Sequence, residues 1–140
     1  MTIRIMTIED YDAIYALWAA TPGVGLRPVE DSREGIDYYL KRNPASCFVA
    51  EEDGAVAGTA LCGNEGRRGF LSHVVVARDY RCRGIGKALV EACLTALRAE
   101  GIRQCVLVAL RRNDEGIAFW KAIGFSERDD LFYLTDYFGE

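Results

Sequence analysis

The feature that most constrains this chain is a glycine turn, Arg81-Cys82-Arg83-Gly84-Ile85-Gly86-Lys87, set between two apolar segments. Upstream, Phe70 to Ala77 contains three consecutive valines and reads as a mostly buried strand. Downstream, Ile85, Ala88, Leu89, Ala92, Cys93, Ala96 and Leu97 recur at helical spacing, and Gly101 closes that helix. Cys105 to Leu110 follows, nearly all apolar, and reads as a central strand buried on both faces. A strand, helix and strand in this order form a right-handed parallel crossover. The turn therefore sits at a helix N-terminus, where unpaired backbone N–H groups and the helix dipole make an anion site. Gly84 and Gly86 let a phosphate approach the backbone, and Arg81, Arg83 and Lys87 add positive charge to a chain of net charge −4. A diphosphate suits such a turn. A Walker A loop would need glycine at Arg81 and serine or threonine at Ala88, and a Rossmann fingerprint would need glycine at Leu89.

The rest of the chain supplies a sheet around this unit. Ile3 and Ile5 alternate with polar residues as a first strand, and Thr7 with Asp10 signals a helix start ahead of Tyr11, Ile14, Tyr15 and Trp18. Residues 21 to 31 read as an irregular loop. Ser32 caps a second helix carrying Ile36, Tyr39 and Leu40, which Asn43-Pro44 stops. Cys47 to Glu51 and Ala55 to Cys62 form a hairpin about Asp53-Gly54. Asn113 caps a last helix through Ile117, Trp120 and Ile123, ending at Gly124. A short strand from Phe125 and another through Leu131, Tyr133 and Thr135 complete the expectation. The fold class is α/β (α+β): a mixed, mostly antiparallel sheet of about seven strands, a central parallel β-α-β crossover, and helices on both faces.

A chain of 140 residues fits one domain spanning 1–140. The acidic balance argues against general nucleic-acid binding. Five cysteines, none in a C-x-x-C pair, and one histidine make neither a disulfide framework nor a metal site. Free thiols suit a reducing compartment, and with no membrane-length apolar run and no signal-peptide pattern the expected location is the cytoplasm.

The pattern Arg-x-x-Gly-x-Gly between a strand and a long helix resembles motif A of the GNAT superfamily of N-acetyltransferases. Val74-Val75-Val76 matches that motif's strand end, and Asn113, Phe119, Gly124 and Phe125 resemble motif B. Gly63 to Gly69 followed by His73 is similar to an uncharacterised subgroup. The resemblance implies acetyl-CoA as co-substrate. It assigns Val74 and Val76 to the pantetheine and thioester through backbone groups. It gives the pyrophosphate to Arg81, Cys82, Arg83, Gly84, Ile85, Gly86 and Lys87. It places Asn113, Gly116, Phe119 and Trp120 on the cofactor side of the last helix. It allows a homodimer, which no charge pattern or exposed seam establishes.

The implied reaction is direct attack of a primary amine, on a small molecule or a peptide, upon the thioester. Positioning supplies much of the acceleration and a strand backbone N–H stabilises the oxyanion. The family's acid, a tyrosine seven residues after the motif-B asparagine, is Trp120 here, and an indole is no useful acid. Tyr133 and Tyr137 are substitutes to consider. Positions where relatives carry a base hold Phe70, Ser72 and Val108. His73 is the candidate base, although strict alternation turns it from the Phe70, Ser72 and Val74 face unless a bulge intervenes. Glu65 and Arg68 are further residues for acceptor contact. Glu30, Asp31, Tyr38, Tyr39, Tyr133 and Asp136 are candidates to wall the acceptor site. A non-catalytic acyl-CoA-binding or sensing module and a plain interaction domain are the competing readings.

Overall fold

The computed structural model describes residues 1–139. They divide into two compact units, Met1–Val108 and Ala109–Glu140. In the first, β1 (Thr2–Ile5), α1 (Tyr11–Ala19), α2 (Arg33–Arg42), β2 (Phe48–Glu52), β3 (Ala55–Asn64), β4 (Gly69–Val76), α3 (Ile85–Ala99) and β5 (Cys105–Val106) follow one another. The sheet order is β1-β2-β3-β4-β5, antiparallel throughout except for the parallel β4–β5 pair.

Local chemistry sets these boundaries. The β2–β3 turn has positive φ at Asp53 (53°) and Gly54 (76°), as a tight hairpin requires. A capping box joins Thr7 to Asp10, whose Oδ2 accepts the Thr7 N–H at 2.8 Å. The Asp10 carboxylate also takes both terminal nitrogens of Arg4, while the Arg4 Nε reaches Glu51 on β2. One guanidinium thus ties the first strand, the first helix start and the second strand. Ser32 Oγ accepts the Gly35 N–H at 3.0 Å and caps α2.

The sheet is covered on both faces in this unit. On one side Ile14 and Trp18 of α1 and Ile36 and Leu40 of α2 pack with Val49, Leu61 and Val75. On the other, α3 buries Ile85, Leu89, Val90, Cys93 and Leu97, and Gly69 lies directly beneath Leu97. Each fully buried aliphatic side chain contributes roughly 1.5–3 kcal/mol.

Two expectations are corrected. Five strands are present among the described residues, not about seven. Residues 125–139 form no strand, and Phe132 and Leu134 are 93% and 86% exposed. Leu131 to Leu134 is four consecutive apolar residues, without the alternation that gives a strand one wet and one dry face. The strand expected over Cys105–Leu110 is only two residues long and lies at the sheet's edge, with Val108 half exposed. An edge strand gains pairing on one side only, so its apolar run is not fully covered. In the second unit, α4 (Asp114–Ala122) is capped by Asn113, whose Oδ1 accepts the Gly116 N–H at 3.0 Å.

Gly35 admits the 21–31 loop against α2: a Cβ there would stand 2.4 Å from the Val29 carbonyl oxygen and 2.5 Å from that of Glu30. Gly35→Ala is expected to destabilise the fold by about 1–3 kcal/mol, the usual cost of overpacking against an unyielding neighbour. A urea-unfolding midpoint equal to that of the unmodified chain contradicts it.

Candidate functional site

The site begins where β4 breaks its pairing with β3. Thr59 pairs with Val75 and Leu61 with Ser72, so His73 and Val74 together face the single residue Ala60. This is a β-bulge, and it shifts the alternation by one. Before it, Gly69 faces α3; after it, Val75 joins the α1–α2 core. His73 occupies the left-handed region at φ 50°, a conformation that costs a non-glycine residue of order 1–3 kcal/mol.

Side chains hold the bulge. Trp18 Nε1–H donates to Thr59 Oγ1 at 2.9 Å, and that hydroxyl donates to the His73 carbonyl at 2.8 Å. The His73 ring meets Trp18 edge-on at a centroid distance of 4.5 Å. Its Nε2 lies 2.8 Å from Asp31 Oδ1. The bulge that would redirect the ring is therefore present, and the ring turns toward α1 and the 21–31 loop. Trp18 and Thr59 were not foreseeable as partners, since nothing in the sequence marks the register slip. A buried tryptophan in need of an acceptor was the one available signal.

The glycine turn leads into α3 as expected. After β4 a single 3₁₀ turn, Arg78–Tyr80, is followed by Cys82 at φ 63° and by Gly84, the N-cap of α3, at φ 80°. No side chain caps α3 and no acidic residue sits in its first turn. Its leading N–H groups thus have no side-chain acceptor, and a Cβ at Gly84 would meet nothing within 4 Å. Two of the three cations are turned to the local backbone. Arg81 Nε donates to the Val76 carbonyl at 3.0 Å, and Arg83 donates to that of Asp79 at 3.2 Å while lying over the Tyr80 ring. Lys87 is exposed, Gly86 half-buried, and Ile85 anchors the helix in the core. Val74 and Val76 are half-buried on β4. The β4–β5 ladder ends at Phe70–Val106 while β4 continues to Val76, so β4 from Leu71 onward has no paired strand on that side.

Asn113, Gly116, Phe119 and Trp120 belong to the second unit. Asn113 is the helix cap, and Trp120 stacks edge-on with Phe119 and Phe125 at 5.0 and 5.2 Å. Tyr133, Tyr137 and Asp136 are exposed. In the first unit, Tyr38 is exposed, Glu30 is exposed and pairs with Arg27, and Asp31 is buried. Tyr39 is partly covered, and burial pushes its hydroxyl pKa up. Glu65 Oε1 accepts the N–H groups of Arg67 and Arg68 and so is a turn-forming carboxylate. Among the described residues no three His, Cys, Asp or Glu side chains come together to hold a metal, and no helix is long and apolar enough to cross a membrane.

Comparison with known proteins defines the class. The model of the acetyltransferase (GNAT) family matches residues 11–125. The chain is 31% identical to an acetyltransferase of Sodalis glossinidius over 134 residues, covering 96% of this chain and 93% of the relative. Among solved structures, Ard1 of Thermoplasma volcanium aligns with a TM-score of 0.79 at 24% identity, over 89% of this chain and 82% of that one. The PaiA N-acetyltransferase of Thermoplasma acidophilum, solved in complex with coenzyme A, aligns at 0.78 and 21% identity, over 91% of each chain. The chain belongs to the GNAT family of acetyltransferases.

Thr59→Val keeps the shape but strands the buried Trp18 N–H and frees the His73 carbonyl. A loss of about 1–3 kcal/mol in chemical denaturation is expected, with no loss contradicting the network. Of the five thiols, Cys82 is exposed while Cys47, Cys62 and Cys93 are buried, and burial pushes the Cys47 thiol up to about 11. A disulfide reagent at mild pH is expected to modify Cys82 first and the three buried thiols only on unfolding. Because the folded Cys47 value is raised, its neutral thiol contributes stability in full below the unfolded value of about 8.5. That contribution is lost as pH climbs toward 11. The midpoint of urea unfolding should fall across this window, and less steeply in Cys47→Ala.

Proposed function

We propose that this chain is an acetyl-CoA-dependent N-acetyltransferase that moves the acetyl group to a primary amine of a small molecule or peptide by direct attack. The observation that carries the reading is the uncapped, glycine-gated N-terminus of α3, reached directly from the end of the bulged β4. Backbone N–H groups from Arg81 to Lys87 receive the pyrophosphate, favoured by the helix dipole and by the positive charge of the turn. Arg81 and Arg83 act chiefly by bracing the turn through the Val76 and Asp79 carbonyls. Val74 and Val76 offer backbone groups to the pantetheine amides where β4 and β5 diverge. The resemblance assigns Asn113, Gly116, Phe119 and Trp120 to coenzyme A as well. The family match runs through both compact units, which supports one domain over 1–140.

In the reaction the amine nitrogen, once deprotonated, attacks the thioester carbon. The C–N bond forms, the C–S bond breaks, and the electron pair leaves on sulfur. A backbone N–H released at the bulge stabilises the oxyanion. His73 takes the proton from the amine. With Trp120 in place of a tyrosine, no acid is required of that helix, because a thiol pKa of about 8.5 makes thiolate a tolerable leaving group. The competing reading, a non-catalytic acyl-CoA sensor, rests on that same substitution, and the names of the relatives do not favour it.

Calorimetric titration with acetyl-CoA is expected to show binding. Gly84→Val, which forces a β-branched residue to φ 80°, is expected to weaken it by about 100-fold or on the order of 2.7 kcal/mol. Unchanged affinity in a folded variant would falsify the phosphate turn. Thiol release across a panel of amines then separates transferase from sensor.

A further inference from the structure

Asp31 is a buried carboxylate of this unit that faces the His73 ring. Its side chain is 6% exposed. Oδ1 faces His73 Nε2 at 2.8 Å, and Oδ2 accepts the Arg27 N–H at 2.8 Å. Its own backbone is fixed as well: its N–H donates to the Arg27 carbonyl at 3.0 Å, and its carbonyl accepts the Tyr11 hydroxyl at 2.7 Å. A carboxylate so placed has a partner on each oxygen and little freedom to move. This fits it for a role toward the histidine ring.

We propose that Asp31 is a positioning residue that sets the tautomer and orientation of His73. An ionised carboxylate only accepts hydrogen bonds. The hydrogen in the Asp31–His73 contact therefore comes from Nε2, and in the neutral ring Nδ1 is left as the bare, basic nitrogen. Three further contacts fix the ring's place: the edge of Trp18, the left-handed backbone at residue 73, and the Thr59 hydroxyl on the His73 carbonyl. A base oriented by a third group is the general arrangement for proton abstraction. The charged group hydrogen-bonded to the ring is Asp31. Tyr11 touches only the Asp31 carbonyl, and Trp18 from α1 and Thr59 from β3 bring no titratable group. The inference rests on His73 acting as the base of the proposed transferase.

His73 is the single histidine of the chain, so its ring can be observed alone in the intact protein. With ¹⁵N-labelled histidine, the neutral ring is expected to show the Nε2–H tautomer, and Asp31→Ala is expected to shift it to a mixture. In the amine panel, Asp31→Asn is expected to lower kcat by roughly 10–100-fold, within the usual worth of a general base, with the KM for acetyl-CoA unchanged. The double variant should be no slower than His73→Gln alone. An Nδ1–H tautomer in the unmodified chain, a wild-type kcat in Asp31→Asn, or additive losses overturn the proposal. His73→Gln with full turnover removes the base and its positioning residue together, leaving the transferase intact. Acetyl-CoA binding without turnover on any amine removes the transferase and, with it, the role of Asp31.

Discussion

One extra residue in β4 determines where the chemistry-bearing groups of the first unit lie. Without the slip at His73 and Val74, the odd-numbered side chains of β4 would all face α3. With it, His73 and Val75 turn to the α1–α2 side while Gly69 stays under Leu97. The left-handed backbone at His73 is unfavourable on its own, and a hydroxyl, an indole and a carboxylate from three other elements compensate for it. The bulge is thus a tertiary product, and the end of β4 and a 3₁₀ turn separate it from the uncapped start of α3.

That dependence explains what could and could not be read from the amino-acid order. Helices announced themselves through caps: Thr7 with Asp10, Ser32 over Gly35 and Asn113 over Gly116 stand where their side chains suggested. The β2–β3 hairpin was legible because Asp53-Gly54 suits positive φ. The glycine turn was legible because its use of backbone leaves a side-chain signature of absence. The bulge was not, since a register slip depends on which strand lies alongside. The Asp31–His73 contact joins residues 42 apart and carries no local pattern. The C-terminal strands failed for the opposite reason: strand-forming residues were present, but Leu131 to Leu134 lack the period of two that a one-sided strand needs.

The division of labour in the first unit is also one of charge. The turn carries leading N–H groups without a side-chain acceptor beside basic side chains, with no acidic residue in the first turn of α3. The carboxylates nearest the strand system are occupied. Asp10 is taken by Arg4, Asp31 by His73 and Arg27, and Glu65 by its own turn. A buried carboxylate that is already paired costs little to keep and has little to offer a guest. Glu30 and Tyr38 remain exposed, where water competes for any contact they make.

The loop that carries Asp31 has a further property. Its distal half is closed upon itself, with Arg27 and Asp31 exchanging backbone and carboxylate bonds and with Val29 and Glu30 seated on Gly35. Its proximal bend, Thr21 to Gly23, lies before that closure, and Pro22 and Gly23 are exposed. Lengthening or rewriting the bend changes what the loop shows to solvent while the carboxylate stays where it is. The fold thereby separates a segment free to diversify in sequence from one whose geometry must be kept, so the bend can change without rebuilding the histidine's support.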